Sequence, residues 1–170
     1  MITPVIILLL LTGPMLIAAG LLSRRKRQGQ GTARDSTQSA AHARQQQAFL
    51  GLSLTFFFFA LGHVVKTQGM VEMLPPWLPM RLELVYATGL LELVIAIGLL
   101  IPRFRVRAAQ LAIGVFVIFF SANIYAAVNY IGLGGHQWGP VYLLIRTPLQ
   151  CTLIAWAYYL CLRPARLSNN

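Results

Sequence analysis

Apolar residues in this chain do not alternate with polar ones. They come in long blocks separated by short polar punctuation. Five blocks are of the length a helix needs to cross a bilayer, about 20 apolar residues: Ile2–Leu22, Ala48–Val65, Leu82–Ile101, Val106–Ile131 and Val141–Leu162. Membrane β-barrels read as short alternating strands, whereas these are continuous runs. The pattern predicts an all-α integral membrane protein with five spans. Residues 1–22 form an N-terminal transmembrane anchor and residues 48–163 a four-helix transmembrane bundle. Residues 23–47 include "QGQGTARDSTQSAAHARQQQ", rich in glycine and glutamine and poor in aromatics, which predicts a flexible linker whose last part is helical. Residues 164–170 make a short tail.

Composition agrees. Of 170 residues, 57% are hydrophobic and only 11% charged, too little polar surface for a soluble domain of this size. The net charge of +10 taken alone suggests nucleic acid, but its distribution assigns it to topology. Arg24, Arg25, Lys26, Arg27, Arg34 and Arg44 lie in the first connection, Arg103, Arg105 and Arg107 in the third, and Arg163 and Arg166 after the last span. The connections between hold only Lys66 and Arg81, then none. Basic connections on alternate sides follow the positive-inside rule, which predicts the N-terminus outside and the C-terminus in the cytoplasm. The first block has no basic residue before it and "SRRKR" directly after it, and its apolar run exceeds a usual signal core. It is expected as an uncleaved anchor.

The connection "TQGMVEMLPPWLPMR" is oily but carries three prolines, which prevent a regular helix through its second half. It is expected to lie along the outer interface, with Trp77 and Trp138 as boundary anchors. Thr88, Gly89, Glu92 and Ala96 share one side of the third span. Ala108 with Ala112, and Ala122 with Ala126, permit close helix approach. Cys151 and Cys161 stand ten residues apart on one helix, about 15 Å, too far for a disulfide. Both are expected as buried apolar filler.

The informative residues are the polar ones inside the spans. The stretch "VYLLIRTPLQCTLIAWAYYL" carries Arg146, Pro148 and Gln150, and an arginine holds its proton wherever it sits. An unpaired charge there costs on the order of 2.5–3.5 kcal/mol by insertion scales. Glu92 is the acidic residue deep in a span and is the expected counter-charge. Gln150 lies one turn from Arg146 on the same face. Pro148 leaves the carbonyl of Leu144 without its helical donor. Asn123 and His63 fall at similar depth, so five polar groups from four helices converge in the outer half of the membrane. They read either as a structural staple or as a pocket open to the outer side, walled by Phe56, Phe59, Phe116, Phe119 and Tyr130.

Several chemistries find no support in the residues. No span carries two histidines for a haem, and no H-E-x-x-H, P-loop or G-x-G-x-x-G occurs, so no metal site is expected. Ser53 and Ser121 have no evident base beside them. The chain shows no self-contained redox or hydrolytic centre.

The run "FALGHVVKTQGMVEMLPPWLPMRLELVYATGLLELVIAIGLLIPRFRVRAAQLA", followed by "ANIYAA" and "RTPLQ", closely resembles the DoxX-like membrane proteins. The resemblance lies in Gly62–His63, Pro75–Pro79, Thr88–Leu93, Gly98–Pro102, Ala122–Asn123 and Arg146–Gln150, and covers about Phe49 to Leu162. It implies a four-helix bundle in a bacterial inner membrane. The family includes the membrane subunit of a thiosulfate:quinone oxidoreductase and members of redox-associated complexes, and related proteins act as assembly chaperones. The expectation is therefore a polar pocket for a small lipophilic molecule such as a quinone. In it Arg146 and His63 donate to ligand oxygens, Asn123 and Gln150 orient the ligand, and Glu92 balances Arg146 and relays a proton. Electrons would come from a partner membrane or redox protein. No nucleic-acid partner and no covalent cofactor are expected, and homo-oligomerisation is left open. A non-enzymatic scaffold for another membrane protein is the alternative, and a permeation path for a small solute ranks last.

Overall fold

A computed structural model describes residues 2–26, 33–131 and 136–163. The described residues are helical with no strand. The helices are α1 (Ile2–Lys26), α2 (Ala33–Val65), the short α3 (Thr67–Glu72), α4 (Arg81–Leu100), α5 (Arg105–Val128) and α6 (Leu143–Trp156). A 3-10 stretch, His136–Tyr142, precedes α6 and a π-helical turn, Ala157–Leu162, follows it. Four helices contain stretches long and apolar enough to cross a membrane: Thr3–Gly20, Ala41–Val65, Arg81–Leu100 and Arg105–Val128. This is a membrane protein by that measure. The last apolar block differs from the others, because the π-helical turn divides its helix.

Helix ends follow the proline and arginine punctuation. After α3 the chain turns through Pro75, Pro76 and Pro79, and α4 starts from Met80 in the left-handed region at φ 52°. At its other end α4 stops at Ile101, whose extended backbone is what a following proline demands. The last carbonyls of a helix have no partner within it. Here Arg105 supplies one, its Nε donating to the carbonyl of Leu99 at 3.2 Å and its Nη2 to that of Leu100 at 3.3 Å. The α2–α4 connection and the start of α6 mark the proline end of the molecule, and the α4–α5 connection its arginine end.

The core runs between these ends. Leu52, Phe56, Ile95, Leu99, Ala109, Ala112, Leu153 and Cys161 are buried in one cluster that also takes in Ile7 and Leu11 of α1. The first helix is thus packed against the other helices. At Gly51 the approach is closest, since a Cβ there would strike the carbonyl of Leu11. Glycine is required by that contact.

Three expectations change in detail. The helix expected from Ala48 begins at Ala33, so the polar segment before the span is largely a helical extension of it. Cys161 is buried as expected, but Cys151 is exposed, on the outward face of α6. Tyr130 does not join the aromatic wall: it is exposed, has φ 55°, and lies against Gly139. Trp77 and Trp138 are both strongly exposed. The residues expected as the tail, 164–170, lie outside the described residues.

Candidate functional site

Gly89 explains how the polar residues meet. A Cβ at Gly89 would lie 2.7 Å from the Cβ of His63, so the missing side chain lets α2 rest directly on α4. His63 then sits over Gly89, with Val85 one turn to one side and Glu92 about a turn to the other. Its Nδ1 lies 2.8 Å from the carbonyl oxygen of Val85. A carbonyl only accepts, so Nδ1 carries a proton and donates it there. The hydroxyl of Thr88, 3.4 Å from Nδ1, completes this side of the ring.

The other ring nitrogen, Nε2, is 3.2 Å from Oε2 of Glu92. The contact is close enough for an ion pair but misses the hydrogen-bond direction, and Oε2 has no hydrogen-bond partner among the described residues. His63 and Glu92, both buried, thus form a close polar dyad at the α2–α4 contact.

The expected Glu92–Arg146 pairing is corrected by this geometry. The carboxylate meets His63, and no ion pair within 4.0 Å joins it to Arg146 among the described residues. Arg146, in the first turns of α6, stays within electrostatic range of Glu92 and of Tyr142. Its Nε is buried without a hydrogen-bond partner among the described residues. Both ring nitrogens of His63 face protein groups.

Asn123 and Gln150 are buried beside the aromatic residues of α5. Asn123 Nδ2 donates to the carbonyl of Phe119 one turn earlier, at 2.6 Å. Gln150 Nε2 reaches from α6 to the carbonyl of Phe116 at 2.5 Å. The rings of Phe56 and Phe116 are 5.0 Å apart, Phe59 stands edge-on to Phe56 at 5.9 Å, and Phe119 lies 6.2 Å from the imidazole. Two open hollows lie elsewhere on the described residues, one between α1 and α6 and one between α4 and α5.

A family profile described as a domain of unknown function (DUF8561) matches residues 52–161. The chain belongs to this family. No curated protein and no solved structure matches it. The matched stretch starts within α2 and ends in the π-helical turn, so it contains all five polar positions and leaves α1 outside.

Two participants were not singled out from the sequence as hydrogen-bonding groups. The Val85 carbonyl carries no side-chain signal. Ser53, set aside for want of a base, donates from Oγ to the carbonyl of Ala96 at 2.8 Å and ties α2 to α4. Together the described groups offer a buried His63–Glu92 dyad, an unmatched guanidinium donor and an aromatic wall. Such a set suits an apolar ligand with a hydrogen-bond acceptor.

Proposed function

We propose that this is a five-span membrane protein of the DoxX-like kind, whose polar cluster binds a small lipophilic carbonyl compound, such as a quinone, in the outer half of the bilayer. It would serve as the membrane subunit of a redox-associated complex in a bacterial inner membrane. The fifth crossing is the run Leu143–Leu162, whose α-helical and π-helical parts together approach 30 Å, about the thickness of the hydrocarbon core. The basic connections orient the proline end outward.

The observation that carries the ligand reading is Arg146 Nε, buried with no hydrogen-bond partner. Leaving such a charged donor unmatched is costly, and a ligand carbonyl offers the acceptor it lacks. Arg146 would hold one ligand oxygen, with Phe59 and Phe119 alongside the rings. Asn123 and Gln150 fix the walls by tying their amides to the α5 carbonyls. The His63–Glu92 dyad would take up or release a proton behind the ligand. A bound quinone supplies the electron-accepting chemistry, and a partner protein the electrons.

Calorimetry with a short-chain quinone on the purified chain tests this. Wild type should bind, and Arg146→Gln should weaken binding at least about tenfold, as expected for losing a hydrogen bond to a charged group. Absence of binding to wild type, or equal binding by both, would overturn it.

A scaffold for another membrane protein remains the second reading, favoured by the Gln150–Phe116 and Ser53–Ala96 bonds, which use polar groups as interhelical glue. On that reading variants at His63 and Arg146 lose function only in step with lost stability.

A further inference from the structure

A second site lies on the opposite half of the molecule. Between α4 and α5 runs a groove of about 620 Å³, lined by Leu91 of α4 and by Arg107, Gln110, Leu111, Gly114 and Ile118 of α5 among its walls. We propose that it binds an anionic phospholipid, with an acyl chain along the groove and the phosphate on Arg107 and Gln110.

The α5 positions recur at three- and four-residue steps, which places them on one stripe of the helix. The polar pair stands at the arginine end, and everything deeper is apolar. Gly114 keeps the trough open, since a Cβ there would meet nothing within 4 Å. From Arg107 to Ile118 the helix rises about 16 Å. One leaflet of hydrocarbon is about 15 Å deep, half of the bilayer core. A cation at the membrane surface above an apolar trough one leaflet deep has the outline of a lipid.

The arginines of this connection divide the work. Arg105 is engaged by the α4 carbonyls and lies over the ring of Phe49 at 5.5 Å. Arg103 lies over the ring of Phe104 at 5.9 Å and does not line the groove. Arg107 is exposed and makes no hydrogen bond or ion pair among the described residues. Its planar fork matches two phosphate oxygens, and the Gln110 amide one turn on adds another donor. Charge complementarity thus selects an anionic headgroup over a zwitterionic one. Nothing in this site depends on the quinone reading.

The test uses the full chain in nanodiscs of mixed phosphatidylcholine and phosphatidylglycerol, followed by gentle extraction and native mass spectrometry. Wild type should retain phosphatidylglycerol in preference to phosphatidylcholine. Arg107→Gln should lower that retention about tenfold or more, as expected for losing a direct hydrogen bond to a charged group. Gly114→Phe fills the trough without altering charge and should lower it comparably. Arg103→Gln removes the same charge outside the groove and should leave retention close to wild type. If Arg103→Gln lowers retention as much as Arg107→Gln, the attraction is diffuse and the site falls. Unchanged retention in Gly114→Phe, or no preference for phosphatidylglycerol, would equally overturn it.

Discussion

The two ends of the molecule satisfy their polar groups differently. Toward the arginine end the helices meet through Ala108, Ala109, Ala112 and Ala157, and the buried hydroxyls nearer the middle have partners. Ser53 donates to Ala96 across the interface, and Thr55 to the carbonyl of Gly51 in its own helix at 2.9 Å. Toward the proline end the same helices bury His63, Glu92, Asn123 and Gln150 and one edge of Arg146, yet Glu92 Oε2 and Arg146 Nε have no hydrogen-bond partner among the described residues. Packing alone accounts for the first half. Unmatched buried polar atoms in a native structure call for a reason beyond packing, and the second half holds them.

The largest effect is expected at Glu92. Glu92→Leu leaves His63 and Arg146 without their acid, and breaking a buried charged contact in this way costs about 3–5 kcal/mol. Unfolding in mixed detergent micelles would read the loss. The sharper test replaces the whole set, as His63→Leu, Glu92→Leu and Arg146→Met together. Buried ionic groups exchanged for apolar residues of similar size are often neutral or stabilising by about 1–4 kcal/mol. Recovery of wild-type stability with loss of ligand binding would mark the proline end as a site kept at the expense of stability. A triple variant as unstable as Glu92→Leu would make the cluster glue, and the contrast between the two ends would collapse.

A middle-sized effect separates two glycines on the same helix. At Gly89 an added Cβ would stand 2.7 Å from the Cβ of His63, an atom fixed to its backbone. At Gly98, toward the arginine end, it would meet the Cβ of Ala108 at 3.1 Å, a contact that a small shift relieves. Gly89→Ala should therefore destabilise by about 1–3 kcal/mol, the range for overpacking. It should also part His63 from Glu92, whereas Gly98→Ala should cost less and leave the dyad intact. Thermal unfolding of both variants, with the histidine ring followed by NMR, checks the order. Equal losses would mean that Gly89 does not set the dyad.

What could be read from the sequence follows from the kind of signal each feature leaves. Four apolar stretches declare themselves by length, and His63, Glu92, Asn123, Arg146 and Gln150 stand out because each interrupts such a run. Their burial needed only depth. Their pairing needed rotation about the helix axes, and that is set by Gly89, whose effect is the absence of a side chain. Depth alone favoured Arg146 as the partner of Glu92, while the close approach at Gly89 gives that place to His63. The docking of α1 was hidden for a related reason. Its run is apolar all round, so no face was marked, and the feature that receives it is Gly51 on the neighbouring helix. The helical last part of the polar segment was expected, but how far back α2 extends, to Ala33, was not, because its polar composition marks no face.

The smallest effect concerns Ser53, the saturated counterpart of the open cluster. Its hydroxyl is fully buried and bonded to the Ala96 carbonyl, one turn beyond Glu92 on the same face of α4. Interhelical hydrogen bonds within membranes average about 0.6 kcal/mol, and alanine differs from serine only by the hydroxyl. Ser53→Ala should therefore lower stability by about that amount and leave the proposed quinone and lipid binding unchanged. The carbonyl it abandons still accepts from its own helix, so no orphan is created. A loss of several kcal/mol would show that the α2–α4 contact depends on polar pairing along its whole length. The proline end would then be the more polar part of one continuous staple rather than a site set apart from it.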